Sequence, residues 1–223
     1  MDLRENTSRI WDPVVRIGHW TLVAAFFTAY FTEDELLTQH VWAGYVAGAV
    51  VAFRVFWGCV GSDNARFTTF LRSPRVTILY LRSLLRGNAP RHIGHNPAGA
   101  AMIIAILLSL SGTVYSGLVL YAIEENAGPL AGIACNRRDA LSEIAIVSVA
   151  HADDDVTETE RGEDDREDFW EEFHEILANL VLLLVIVHVL GVLGSSYLHK
   201  ENLVLAMFTG RKRTSAVAPA DPE

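Results

Sequence analysis

The sequence predicts an all-α integral membrane protein, a four-helix bundle, and three observations predict it. Hydrophobic residues make up 51% of the 223 residues, and mean hydropathy is positive although 20% of the chain is charged. Apolar and charged residues must therefore be segregated along the chain. Four apolar stretches are each close to the roughly 20 residues that cross a hydrocarbon core about 30 Å thick. Fourteen of the 18 Lys and Arg residues lie in segments that four crossings would leave on one side. A water-soluble helical bundle is the alternative. The stretch "MIIAILLSLSGTVYSGLVLYAI" argues against it, with no charged residue and no polar stripe to face water.

Taken in order, the chain reads as a single domain, 1–223, with spans at 14–32, 38–60, 97–122 and 170–198. The opening "MDLRENTSRIWDP" is mixed in charge, and no apolar run ending in a cleavage site follows it directly. The first apolar run therefore reads as a retained helix. It is the weakest of the four, interrupted by Arg16 and His19. Arg4, Arg9 and Arg16 precede or open it, and Arg54 sits near the end of the second span. The connection 61–97 is basic and carries Pro74, Pro90 and Pro97. Within it, "PRVTILYLRSLLR" is expected to form a short amphipathic helix at the headgroup surface. A basic tail, 199–223, closes the chain.

The opposite side receives "TEDELLTQ" and a long acidic periplasmic loop, 124–170. From Glu124 to Glu172 there are sixteen acids and four arginines. The second half, "ADDDVTETERGEDDREDFWEE", has the composition of a disordered or loosely ordered segment. It is either simply solvated or a docking surface for a basic partner. The charge asymmetry places both termini in the cytoplasm. Cys59 and Cys135 then lie at opposite faces, and no disulfide is expected. No internal repeat, nucleotide-binding glycine loop or hydrolase nucleophile motif is present. The basic segment has too little aromatic interleaving for nucleic acid. The tryptophans gather near the span ends, as interfacial aromatics do.

The chemistry lies in the histidines. His174 and His188 are fourteen residues apart in the fourth span. A helix of that length rises about 21 Å and leaves the two rings roughly 40° apart. Both therefore face one side of the bundle, near opposite membrane surfaces. An ionisable residue inside a span is a functional candidate by default, although one histidine alone would more often serve as a hydrogen-bonding residue between helices. These are not alone. His19 would share the depth of His188 in an antiparallel bundle, and His40 the depth of His174. Two imidazole pairs at two depths are what two six-coordinate haems require. A flat porphyrin also needs room between helices. Gly44 follows His40 by one turn and Gly191 follows His188 by nearly one, although glycine also serves close helix packing. There is no CxxCH, so the haem would be non-covalent.

The sequence resembles the bacterial di-haem cytochrome b561 family, which includes the cytochrome b subunits of nickel–iron hydrogenases. The matching pieces are "WDPVVRIGHW", His40 with Gly44, "FRVFWGCVG", "GHNPAGAAM", "WEEFHEILANLVLLLVIVHVLGV" and "KENLVLAMFTGRKR". They cover nearly the whole chain except the acidic insert, which is longer than the usual pattern. The resemblance implies His19 and His188 as ligands of a cytoplasmic-side haem b. It implies His40 and His174 for a periplasmic-side haem b. Arg16 and Arg54 flank the first of these and suit haem propionates, with interfacial snorkelling as the other role. His95 either caps the third helix or lines a quinone pocket.

The function this implies is electron transfer across the bacterial inner membrane. The partners would be membrane quinone and a periplasmic c-type cytochrome or oxidoreductase met through the acidic loop; a homodimer stays open. A haem-relay and anchoring subunit of a periplasmic hydrogenase-like enzyme is the neighbouring alternative. A proton-coupled transporter with a histidine relay is the alternative from another class.

Overall fold

A computed structural model describes residues 7–9, 12–33, 36–62, 65–70, 73–86, 97–132, 155–199 and 202–213. The helices are α1 (Pro13–Phe31), α2 (Leu37–Val60), α3 (Phe67–Phe70), α4 (Pro74–Leu85), α5 (Pro97–Glu124), α6 (Asp155–His199) and α7 (Leu203–Thr209). Two three-residue strands, β1 (Thr7–Arg9) and β2 (Arg211–Arg213), pair antiparallel, with Thr7 opposite Arg213 and Arg9 opposite Arg211. Segments near the two ends of the chain thus pair, which is compatible with an even number of membrane crossings.

Among the described residues, four helices are long and apolar enough to cross a membrane: Pro13–Phe31, Leu37–Val60, Pro97–Glu124 and Asp165–Leu198. Their large apolar side chains are left open rather than packed away. Leu108 is 68% exposed and Leu190 62%. In water that exposure would be costly, at about 25 cal/mol per Å² of apolar surface; in lipid it costs nothing of the kind. The all-α membrane bundle expected from the sequence is what the chain forms. The short helix α4 also forms where expected, with Tyr80 buried while Val76, Ile78, Leu79 and Leu81 are exposed.

One expectation is corrected. The acidic stretch is not loop up to residue 170: α6 begins at Asp155 and runs unbroken through the fourth span to His199. The physical reason lies in residue type. Glutamate and arginine are good helix formers, acids are favoured in the first turn of a helix, and the apolar span that follows supplies a nucleus to extend. Composition rich in charge argued for disorder; helix propensity and continuity with a stable span won. Residues 133–154, the middle of the expected loop, lie outside the described residues.

The chain divides into two compact units, Met1–Leu107 with Leu183–Glu223, and Leu108–Leu182. In the first, α1 packs along α2, and small residues Ala25, Ala43 and Ala47 are buried. In the second, Val181 and Ser116 are wholly enclosed.

Candidate functional site

The first unit is fastened at the basic end by caps. Asp12 lies outside the start of α1, and its Oδ1 accepts from the Val14 N–H at 2.8 Å. Pro13 follows as the first helical residue, where its missing N–H costs nothing. The other Asp12 oxygen accepts from Ser62 Oγ at 2.6 Å and from Trp57 Nε1 at 3.4 Å. The carboxylate therefore joins the start of α1 to the end of α2. At the far end of the chain, Asn202 caps α7 through the Leu205 N–H, and Gly210 ends it with φ of 76°. That left-handed conformation suits glycine.

Arg16 binds α7 to α1. Its Nε donates to the Met207 carbonyl at 3.1 Å, and its guanidinium also donates to the Phe208 carbonyl. Trp20 stacks on Phe208, ring centroids 4.2 Å apart. Arg54 donates from Nη1 to the Ala65 carbonyl at 3.2 Å and lies over the Phe67 ring. Gly58 makes this turn possible, because a Cβ there would stand 2.1 Å from the Phe67 ring. Both arginines expected near propionates thus hold backbone carbonyls at the basic end.

Within this frame the first unit contains both His19 and His188. The His19 ring meets Trp20 edge-on, with centroids 5.1 Å apart and planes at 88°. Its Nδ1 is buried and has no hydrogen-bond partner among the described residues. A buried nitrogen left so costs about 1–3 kcal/mol.

His40, in the first turn of α2, is fixed differently. Its Nδ1 lies 2.9 Å from the Ala29 carbonyl near the end of α1. A carbonyl only accepts, so Nδ1 carries the hydrogen and the ring lone pair sits on Nε2. Among the described residues, a Cβ at Gly44 or at Gly191 would meet nothing within 4 Å, and Gly191 is exposed.

The second unit holds His174 against α5. Its Nδ1 is 2.9 Å from Ser116 Oγ, and Ser116 Oγ is 3.0 Å from the Thr113 carbonyl. A Cβ at Gly117 would come within 2.8 Å of His174 Cε1. The imidazole therefore lies directly against the α5 backbone. Nearby, Tyr115 meets Trp170 edge-on at 6.0 Å.

Ser116 and Gly117 do not stand out among the polar and small residues of the sequence, although a serine–glycine pair inside an uncharged span is a signal. For Asp12 the signal is stronger, since an aspartate before a proline at a helix start is a capping pattern. His95 lies outside the described residues.

The profile of one family, prokaryotic cytochrome b561, matches residues 10–210. The chain belongs to that family. Comparisons with curated proteins and with solved structures give no match. As a prokaryotic cytochrome b561, it is a membrane-embedded cytochrome whose activity is transmembrane electron transfer through haem b. The donors present fit such a group. His19 has a buried nitrogen awaiting a partner, and His40 and His174 each have Nδ1 beside an oxygen that can hold it. Gly44 and Gly191 leave clearance beside the helices.

Proposed function

We propose that this cytochrome b561 carries electrons between membrane quinone and a periplasmic redox protein through two bis-histidine b-haems. His19 and His188 would hold the haem on the cytoplasmic side, and His40 and His174 the one on the periplasmic side. When bound, the haem iron supplies one-electron oxidation and reduction. The chain supplies the axial nitrogens, their orientation and a low-dielectric setting. With both axial positions filled by imidazole, neither iron would be open to dioxygen.

The observation that supports this reading is that His19 and His188, from opposite ends of the sequence, belong to one compact unit in which His19 Nδ1 is buried without a hydrogen-bond partner among the described residues. The second pair rests on the equal depth of His40 and His174 in the sequence and on family membership. The placement of Lys and Arg supports cytoplasmic termini, and the four apolar helices of a prokaryotic cytochrome support the inner membrane as its site. The acidic extension of α6 would face the periplasm and favour a basic partner, a c-type cytochrome by preference.

The test is direct. Purified protein should show a reducible Soret band and two haems per chain by pyridine haemochrome. His188→Ala should keep one haem and lose the other. Two haems retained in that variant would overturn the ligand assignment, and a colourless wild-type protein would overturn the reading as a whole.

A further inference from the structure

We propose that Ser116 and Gly117, on the third spanning helix, are positioning residues for His174, setting its tautomer and ring orientation so that Nε2 is presented to iron. The inference rests on the ligand assignment above and deepens it, because α5 supplies none of the four proposed ligands.

The tautomer follows from counting hydrogens. Ser116 Oγ stands within hydrogen-bond distance of both the Thr113 carbonyl, at 3.0 Å, and His174 Nδ1, at 2.9 Å. The carbonyl can only accept. The single hydroxyl hydrogen of Ser116 must therefore go to Thr113 if that contact is a hydrogen bond. The contact to His174 is then a hydrogen bond only if Nδ1 is the donor. Both contacts are satisfied by one arrangement: Nδ1–H to Ser116 Oγ, Ser116 O–H to the Thr113 carbonyl, and the lone pair on Nε2. Ser116 is fully buried, so water does not compete for the hydroxyl. A serine whose hydrogen is engaged by its own helix is a committed acceptor.

Gly117 fixes the ring's position. A Cβ there would lie 2.8 Å from His174 Cε1 and 3.3 Å from Nδ1. The first distance is closer than real Cβ contacts allow. Only glycine lets the imidazole lie this near the helix backbone and reach the hydroxyl of the preceding residue. His40 obtains the same tautomer from the Ala29 carbonyl, so its setting does not depend on a side chain. Of these two ligands, His174 is the one whose setting a point mutation can change.

A histidine that donates Nδ1–H to an acceptor is a more basic ligand at Nε2, and such outer partners are typically worth about 10–100-fold in metal affinity. A more basic ligand favours ferric over ferrous iron. Removing the acceptor should therefore raise the potential of one haem.

The experiment uses the full chain in mild detergent, with spectroelectrochemical titration, low-temperature EPR of the ferric state and haem transfer to apomyoglobin. Ser116→Ala should move one of the two potentials to more positive values and leave the other in place. It should also shift one low-spin EPR signal and speed transfer of one haem about tenfold or more. Ser116→Cys keeps a weak acceptor and should fall between Ser116→Ala and the wild type. Gly117→Ala should displace the ring and convert one haem from low-spin toward high-spin.

Two potentials unmoved in Ser116→Ala, or both moved equally in Ser116→Ala and Ser116→Cys, would overturn the proposal. If Ser116→Ala purifies with one haem, retention of both by Ser116→Cys supports the proposal and loss from both variants overturns it. His174→Ala separates the two levels of argument. Loss of one haem there with a silent Ser116→Ala sinks only the positioning role. Two haems retained in His174→Ala would sink the ligand assignment and the positioning role with it.

Discussion

The helix ends beside the basic segments hold their histidine by its surroundings, whereas those beside the acidic segments hold theirs by hydrogen bonds. At the basic end, backbone groups are tied: Asp12 joins α1 to the end of α2, and Arg16 takes the last carbonyls of α7. His19 has an aromatic edge beside it and a buried Nδ1 without a partner among the described residues. Toward the acidic segments, His40 and His174 each engage an oxygen through Nδ1. The helix ends beside the basic segments thus fix the scaffold and leave His19 to be oriented by packing. His40 and His174, each within its own unit, are fixed at the imidazole itself. Iron ligands held by hydrogen bonds are more basic than ligands held by packing alone, so two chemically similar haems would acquire different potentials.

The largest expected effect tests whether the ends are separate sites at all. His19→Ala and His40→Ala should each halve the haem content, and each should remove a different component of the redox titration. His19→Ala should match His188→Ala, and His40→Ala should match His174→Ala. If His19→Ala and His40→Ala remove the same component, the two ends do not hold separate haems and the contrast between them disappears.

Much of this was legible in the residues. Span positions follow from apolar length, which is a nearly one-dimensional property in lipid. The four histidines stand out because an imidazole in an apolar helix is costly. The helix α4 follows from the alternation of basic and apolar residues after Pro74, whereas the pairing of β1 with β2 has no signal in the sequence. Three further features were not legible, for physical reasons. The helical state of the acidic stretch from Asp155 onward depends on continuity with a stable span, which composition does not record. Ser116 is one of several polar residues in α5, and only the packing of α6 against it selects that one. Arg16 and Arg54 read as partners for carboxylates because a guanidinium fits carboxylate well. It fits backbone carbonyls as well, in the last turn of α7 for Arg16 and in the turn before α3 for Arg54, and sequence does not record those contacts.

A smaller effect concerns the acidic extension. Asp165, Asp168, Glu171 and Glu172 are exposed on the part of α6 that precedes or opens the fourth span. Neutralising them together as Asp→Asn and Glu→Gln should slow electron exchange with a basic c-type cytochrome about tenfold at low ionic strength. The difference should vanish near 1 M salt, where the screening length is about 3 Å. Stopped-flow rates across a salt series measure it. An equal slowing at every salt concentration would point to a structural effect on α6 in place of steering.

The smallest effect belongs to Asp12, and its sign can be worked out. Burial alone would raise this carboxyl, but hydrogen bonds from Ser62, the Val14 N–H and Trp57 outweigh it and hold Asp12 below its ordinary value. The folded value is therefore lower than the unfolded value of about 4. The stabilisation is fully present above that value and is lost as pH falls through the lower, folded one. Asp12→Ala should cost about 1 kcal/mol at neutral pH, the usual worth of such a cap. The gap between variant and wild type should close as pH drops below about 4. Thermal unfolding in detergent at a series of pH values measures this. Asp12→Asn, which keeps a capping oxygen but no charge, should lie between the two at neutral pH and show the weaker pH dependence. Because the hydrogen bonds of Asp12 among the described residues come from Val14, Ser62 and Trp57, both haem potentials should stay where they are in the two variants. A shifted potential would mean that scaffold and ligand are coupled at the basic end as well, and the two ends would then differ in degree alone.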